Sequence, residues 1–372
     1  MSTLEEETLG PPAPRANPVL LGHGEAEQVL LQAHKSGRLP HAWLLTGPRG
    51  IGKATLAFRF ARFLLAGGAG GSDEGPGLFA ALEEPSGEDL SLSPESPVFR
   101  RVAAGGHPDL MTVARSPHPR TGKLRGEITV DDVRPVRDFL HMTAAEGAWR
   151  LVIVDAADEM NLNAANALLK VLEEPPAQAI LLLVSHAPGR LMPTIRSRCC
   201  RLPLTPLAED LVVQLTRDYG LELAEEERRA LARLSEGSIG RALALAESGG
   251  LALYGELVQL LESLPGGDVA GVNSLAERLA KGADGEAFRT GTQLLVWWLA
   301  RMIRAGAQQS LPPEVVAGEG AVMARLLERR SLAQWLTLWE KLARLFARAE
   351  SVNLDRKQVV ITAFLELEAL AA

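Results

Sequence analysis

The chain has 372 residues, of which 47% are hydrophobic and 23% charged, and this composition is ordinary for a globular domain protein. Its net charge of -7 argues against a protein that coats nucleic acid by itself, because such proteins are basic overall. The two cysteines, Cys199 and Cys200, are adjacent and therefore poorly placed for a disulfide, so we expect a reducing, cytoplasmic compartment.

The first predicted segment is a flexible arm over residues 1–18, which is acidic and then rich in proline and lacks the features of a secretory signal. Residues 19–35 have the apolar spacing of a helix. The short apolar run from Ala42 to Thr46 ends at a glycine-rich turn and predicts a buried strand. Residues 53–65 are expected to form the helix that follows.

Strands and helices continue to alternate beyond a segment of low complexity. Residues 66–97 are rich in glycine, serine, proline and glutamate and predict an exposed, flexible insertion. Two more buried strands are predicted at Leu151–Val154 and Ile180–Val184, with a helix over roughly 161–173 between them. This alternation predicts an α/β domain over residues 19–206, with a parallel sheet covered on both faces.

After Pro206 the strand signals stop. Residues 207–250 predict a small helical lid domain, and residues 251–372 predict a larger all-helical domain. In the segment 331–346, one helix face is expected to carry the apolar residues Leu332, Trp335, Leu336, Trp339 and Leu342.

The segment between the first strand and the next helix fits most of the phosphate-loop motif G-x-x-x-x-G-K-S/T. The segment consists of Gly47, Pro48, Arg49, Gly50, Ile51, Gly52 and Lys53, followed by Ala54 and Thr55. Glycines let the backbone turn so that amide N–H groups point inward, and the helix N-terminus and the lysine attract phosphate. The pattern therefore predicts a nucleotide-binding site, with a chance glycine turn as the alternative.

Two groups that an ATPase needs are missing from this predicted site. Ala54 stands where a hydroxyl would hold magnesium, and the side chain of Thr55 projects about 100° away around the helix. At the end of the second predicted strand, Asp155 can support the metal, but Ala156 lacks the carboxylate that would orient the attacking water. We therefore expect little or no hydrolysis of ATP by this chain.

Asp158 and Glu159 are the nearest carboxylates to the gap at Ala156. We interpret both as acids at the N-terminus of the next helix, where they would complement the helix dipole.

Several motifs resemble the AAA+ clamp-loader family of bacterial DNA polymerase III. Residues 166–176 read NALLKVLEEPP, which is similar to a signature of that family, and residues 197–199 are similar to its SRC motif. Four shorter segments agree with the family: LPHAWLL at 39–45, GHPD at 106–109, VDDVR at 130–134 and NLDRK at 353–357.

The resemblance implies an AAA+ fold with helical collar domains that join five subunits in an arc. It implies that such a complex uses ATP to load the beta sliding clamp onto primed DNA, with gamma/tau and delta subunits as partners. It also implies that Arg198 acts as an arginine finger on ATP held by a neighbouring subunit, since a guanidinium offers a planar, permanently charged fork to phosphate oxygens. An ordinary surface arginine is the alternative.

Two other features bear on the resemblance. Members of the family carry a four-cysteine zinc module, but residues 66–110 contain no cysteine, so no zinc is expected. Arg241 follows Gly240 at the position of a nucleotide-sensing arginine, with a capping turn and an exposed arginine as an equal alternative.

Three functions compete on the sequence. The first is a stator of the delta-prime type, which lends Arg198 to a neighbour. The second is a gamma/tau-type motor, which the gaps at Ala54 and Ala156 and the missing zinc cysteines disfavour. The third is an unrelated AAA+ remodelling or helicase-loading protein, which the paired family motifs disfavour.

Overall fold

The computed structural model describes residues 11–67, 89–146, 149–282 and 285–372. Most of the expected insertion and the first ten residues of the expected arm lie outside these ranges. Contacts within the chain define two compact units: Met1–Leu221 with Gly237–Gly240, and Glu222–Glu236 with Arg241–Ala372. The finer domain boundaries at residues 206 and 250 stay a prediction.

The first unit is built on one sheet of five parallel strands in the order β2-β3-β4-β1-β5. The strands are β1 Ala42–Thr46, β2 Leu110–Val113, β3 Arg150–Asp155, β4 Ala179–Ser185 and β5 Cys200–Pro203. The expected parallel α/β domain of the AAA+ type, followed by helices, is confirmed. Strand β2 is an addition to the strands expected from the sequence.

Eight helices surround this sheet in chain order. They are α1 Gly24–Lys35, α2 Lys53–Leu65, α3 Pro97–Ala104, α4 Val130–Val133, α5 Pro135–His141, α6 Leu162–Glu173, α7 Pro193–Arg196 and α8 Glu209–Asp218. Short 3-10 turns occur at Pro14–Ala16, Ala157–Glu159 and Pro188–Arg190. The helices expected at 53–65 and 161–173 are confirmed as α2 and α6.

The sheet is buried on both faces because successive residues of a strand point to opposite sides. Trp43 and Leu45 of β1 belong to a core cluster that includes buried residues of α1 and α2. Ala42 and Leu44 of the same strand belong to a second cluster, which includes buried residues of α5 and α6. The strands are apolar throughout for this reason, and their carboxyl ends meet at one edge.

The second unit is helical. Its helices are α9 Glu225–Ser235, α10 Ile239–Glu247 from its third residue onward, α11 Gly250–Glu262, α12 Val269–Ala280, α13 Glu286–Gln308, α14 Glu319–Arg329, α15 Leu332–Ser351 and α16 Arg356–Ala371. No helix in the described ranges has both the length and the apolar character to cross a membrane.

The buried face of α15 differs from the expected one. Trp335 and Leu342 are buried as expected, but Leu336 is 45% exposed and Leu332 lies at the exposed start of the helix. Leu338 and Phe346 complete the buried face, because α15 packs against both α13 and α16. The predicted stripe was therefore wrong by about one helix position on one side.

A buried ionic cluster stabilises the second unit. The Glu319 carboxylate accepts hydrogen bonds from Arg301 Nη1 at 2.5 Å, from the Val315 N–H at 2.8 Å and from the Tyr254 hydroxyl. Burial and the neighbouring carboxylate raise the pKa of the Tyr254 hydroxyl, so it stays protonated and remains a donor.

Asp109, the last residue of the GHPD segment, has a structural role in the first unit. Its fully buried carboxylate accepts the N–H groups of Ala145 at 2.7 Å and Glu146 at 2.9 Å. Arg150, at the start of β3, lies 3.5 Å from the same carboxylate. The segment therefore fixes the chain that enters β3, which is one of the strands that carry the candidate site.

We predict that Asp109→Asn lowers the free energy of unfolding of the first unit by about 2 kcal/mol, because one oxygen acceptor becomes an N–H donor facing buried donors. Urea denaturation followed by circular dichroism measures this change. Asp138→Asn is the matched control, since Asp138 is exposed on α5 and should leave the stability within about 0.5 kcal/mol of the parent. Equal stabilities for the two variants would contradict the role of Asp109.

Candidate functional site

The phosphate-loop segment lies where its motif requires, between the end of β1 at Thr46 and the start of α2 at Lys53. Gly47, Gly50 and Gly52 adopt positive φ angles of 147°, 75° and 108°. These conformations strain any residue that has a Cβ. At Gly47 an added Cβ would also lie 2.4 Å from the backbone oxygen of Leu204, so glycine is required there.

The backbone carbonyls of the loop are held by groups from outside the motif. The His23 ring nitrogen Nε2 lies 2.6 Å from the Ile51 oxygen, and the Ser238 hydroxyl donates to the Arg49 oxygen at 2.7 Å. The Gly240 N–H donates to the Gly50 oxygen at 3.0 Å. Burial lowers the pKa of His23, and because a carbonyl only accepts, Nε2 carries the ring proton.

Lys53 is folded onto the loop that it follows. Its ammonium donates to the Gly47 oxygen at 2.7 Å and also to the Pro48 oxygen, and the residue is only 2% exposed. Burial lowers the pKa of Lys53 to about 8, although Asp155 and Asp158 attract the charge and oppose this shift. The loop thus has its own cation as a ligand for two of its carbonyls.

The two residues after Lys53 offer no exposed hydroxyl in the described structure. Ala54 has none, and Thr55 is buried with 8% exposure. At the end of β3, burial raises the pKa of Asp155, which Lys53 partly offsets, and Ala156 is buried beside it. The arrangement keeps the lysine and one carboxylate of a nucleotide site but lacks a magnesium hydroxyl and a carboxylate for water.

The interpretation of Asp158 and Glu159 as acids at the start of a helix is wrong. They lie in a 3-10 turn, and α6 begins later, where the Asn161 side chain caps it by accepting the Ala164 N–H. Hydrogen bonds within a folded chain displaced the role that local sequence suggested.

Asp158 instead joins two strand ends. Its carboxylate accepts the N–H groups of His186 at 2.8 Å and Ala187 at 3.1 Å, just after β4. Burial opposes ionisation of Asp158, but these hydrogen bonds outweigh it and lower its pKa.

Glu159 is an ion-pair partner of two arginines. It lies 2.8 Å from Arg115 and 3.7 Å from Arg49 of the phosphate loop. Arg49 therefore has a carboxylate partner within its own unit, and its side chain remains 69% exposed.

His186 is a residue of this edge that the sequence reasoning missed. Burial, together with the charge of Lys53, lowers its pKa to about 4, so the ring is neutral at physiological pH. The signal that could have found it is its place directly after β4, since polar groups at the carboxyl ends of parallel strands share one edge.

Arg198 lies in the turn between α7 and β5, at the surface of the first unit. Its Nη1 donates to the Thr194 oxygen at 3.0 Å, and its Nη2 lies 2.9 Å from Glu173 Oε1. The side chain is 35% exposed. The guanidinium is therefore both held and accessible.

Arg241 belongs to the second unit. Its guanidinium pairs with Glu236 at 3.3 Å and lies 5.9 Å from the centre of the Trp297 ring. Burial lowers the pKa of Arg241, and Glu236 opposes this shift. Its role as a nucleotide sensor stays a prediction.

Within the described residues, no group of three or more histidine, cysteine, aspartate or glutamate side chains is arranged to hold a metal ion. Cys199 is buried, which raises the pKa of its thiol to about 12 and makes it unreactive.

Comparisons with known proteins agree with the motifs. Residues 78–208 match a family model described as DNA polymerase III, delta subunit. The chain is 37% identical over 217 residues to the delta' subunit of DNA polymerase III from Pseudomonas aeruginosa, covering 57% of this chain and 58% of that protein. It is 34% identical over 243 residues to the delta' subunit from Escherichia coli, covering 65% of each.

A gamma/tau subunit of DNA polymerase III, from Mycobacterium tuberculosis, is also similar. It is 31% identical over 187 residues, which make up 50% of this chain and 28% of that protein. The chain spans less than two thirds of the length of these curated relatives.

The buried position of Lys53 predicts a specific pH dependence. Its pKa is about 8 in the folded chain against an ordinary 10.5, so above pH 8 the folded state loses this proton while the unfolded state keeps it. The free energy of unfolding should therefore rise between pH 8 and 10.5, by up to about 3 kcal/mol. Urea denaturation of the parent and of Lys53→Met over this range isolates the effect, and a constant difference between the two would contradict it.

Proposed function

We propose that this chain, a relative of the delta-prime subunits of DNA polymerase III, is a non-hydrolysing clamp-loader subunit that lends Arg198 to ATP bound by a neighbouring subunit. In this proposal the chain works in a cytoplasmic, ATP-driven pentamer with gamma/tau and delta subunits. The pentamer loads the beta sliding clamp onto primed DNA.

One observation carries the proposal, namely the contrast between two parts of the first unit. The phosphate-loop site has Ala54 and Ala156 where a magnesium hydroxyl and a water-orienting carboxylate are needed. Arg198, by contrast, is a permanently charged group that is held in a fixed orientation at the surface. Such a chain is better equipped to assist hydrolysis by a neighbour than to perform it.

The chemistry of phosphoryl transfer gives the guanidinium its role. As the bond to the terminal phosphoryl group of ATP breaks, negative charge spreads over the oxygens of that group. Hydrogen-bond donors that are already in place stabilise this charge without reorganisation. Arg198 can supply such donors only across a subunit boundary, which couples hydrolysis to correct assembly.

The phosphate loop of this chain fits a phosphate group but not a hydrolytic magnesium site. Its glycine backbone and helix N-terminus suit an anion. Lys53 must first leave the oxygens of Gly47 and Pro48 before it can contact a bound phosphate. We propose that the loop and Asp155 serve chiefly to hold β1, β3 and α2 together, and that any ATP bound there is not turned over.

The similarity to a gamma/tau subunit supports a second candidate, an ATPase motor of the same complex. The two candidates differ in a direct way, because a motor must hydrolyse ATP in its own pocket.

We predict that Arg198→Ala lowers DNA-stimulated ATP hydrolysis by a loader reconstituted from this chain and its cognate subunits. At the one site that Arg198 completes, the rate constant should fall by roughly 10³-fold, the lower value for fingers of this kind. Single-turnover hydrolysis of radiolabelled ATP measures this, since sites completed by other subunits continue to turn over.

Arg201→Ala is the matched control, because Arg201 is an exposed arginine on the adjacent strand β5. This variant should hydrolyse ATP at the parent rate. A normal rate for Arg198→Ala would remove the proposed finger.

We also predict that the isolated chain hydrolyses ATP no faster than a Lys53→Met variant, with or without magnesium. The physical reason is the absence of both a metal hydroxyl at Ala54 and a carboxylate at Ala156. A phosphate-release assay at saturating ATP checks this. Turnover comparable with that of the motor subunit would favour the second candidate.

A further inference from the structure

We infer that Glu173 is a positioning residue for Arg198, which fixes the guanidinium in the orientation needed for a phosphate group on a neighbouring subunit. The inference rests on the proposed function of Arg198 and goes beyond it by naming the group that sets its geometry. It joins the two family motifs, NALLKVLEEPP and SRC, through one ion pair.

The guanidinium is held at two different nitrogen atoms. Nη2 lies 2.9 Å from Glu173 Oε1, and Nη1 donates to the Thr194 oxygen at 3.0 Å. Two contacts at separate ends of a planar group fix its plane as well as its position. A guanidinium has five N–H groups, so these two contacts leave donors for phosphate oxygens.

Both anchors lie on secondary structure rather than on a loose loop. Glu173 is the last residue of α6, and the Thr194 oxygen belongs to α7, which packs against α6. Leu168 and Leu172 of α6 and Ile195 of α7 are buried in the same core cluster. The orientation of Arg198 is therefore tied to the core of the first unit.

The place of Glu173 in its helix is unfavourable without a partner. The carboxyl end of a helix carries partial negative charge, which favours cations such as Lys170 in the last turn and disfavours a carboxylate. The pair with Arg198 offsets this cost. The next residue, Glu174, is also an exposed glutamate but lies beyond the end of the helix.

The same geometry could serve the opposite purpose, in which Glu173 neutralises Arg198 and keeps it from a phosphate. The two roles predict opposite signs when the carboxylate is removed. Positioning predicts slower hydrolysis, and sequestration predicts faster hydrolysis. The donors left over on the guanidinium favour positioning, since a partner that fully occupied the group would leave none.

The test is Glu173→Gln in the reconstituted loader, with DNA-stimulated ATP hydrolysis measured over a range of ATP concentrations. The expected result is a fall of about tenfold in kcat at the affected site, because misplacement of a reacting group by about 1 Å costs up to 10²-fold. The KM for ATP and the assembly of the complex, followed by gel filtration, should not change. Glu174→Gln is the matched control and should match the parent.

A second arm separates positioning from a merely structural effect. In the double variant Glu173→Gln with Arg198→Ala, the rate should equal that of Arg198→Ala alone, because a positioning residue has nothing to act on once the guanidinium is gone. Additive losses would overturn the inference, as would a parent rate, a faster rate or impaired assembly for Glu173→Gln. If Arg198→Ala itself has the parent rate, the proposed function fails rather than this inference alone.

Discussion

The constraint on which the first unit depends is the burial of a parallel sheet on both faces. Five strands that all run in one direction place every carboxyl end at one edge. The phosphate loop after β1, Asp155 at the end of β3 and His186 after β4 meet there for this reason. Asp158 ties two of these ends together through backbone N–H groups that follow β4.

The electrostatics of this edge differ from those of a site that hydrolyses ATP. Lys53 is buried and bonded to oxygens of its own loop, and its pKa is lowered to about 8. The other loop carbonyls are held by His23, Ser238 and Gly240. A loop whose polar groups are already satisfied contributes to the stability of the fold, and this fits a subunit whose proposed chemistry takes place at Arg198.

Arg198 and Glu173 carry the proposed functional consequence of the fold. Neither residue touches the core, but each is attached to a helix whose apolar face does. Packing in the core thereby sets the orientation of a charged group at the surface. Because rigid elements place side chains more exactly than loops do, the site can be accurate without being buried.

The sequence by itself determined the features that local pattern controls. These are the apolar strands β1, β3 and β4, the glycine loop before α2, the helical second half and the missing groups at Ala54 and Ala156. It missed β2, a short edge strand whose residues are mostly half-exposed and carry little periodicity.

Only the tertiary structure decided which distant groups meet. Asp158 pairs with backbone groups 28 residues away, and Lys53 turns back onto its own loop. Glu173 has a carboxylate identical to that of Glu174, yet only the fold brings it to Arg198. Charge partners are set by distances in space, which periodicity along a chain does not encode.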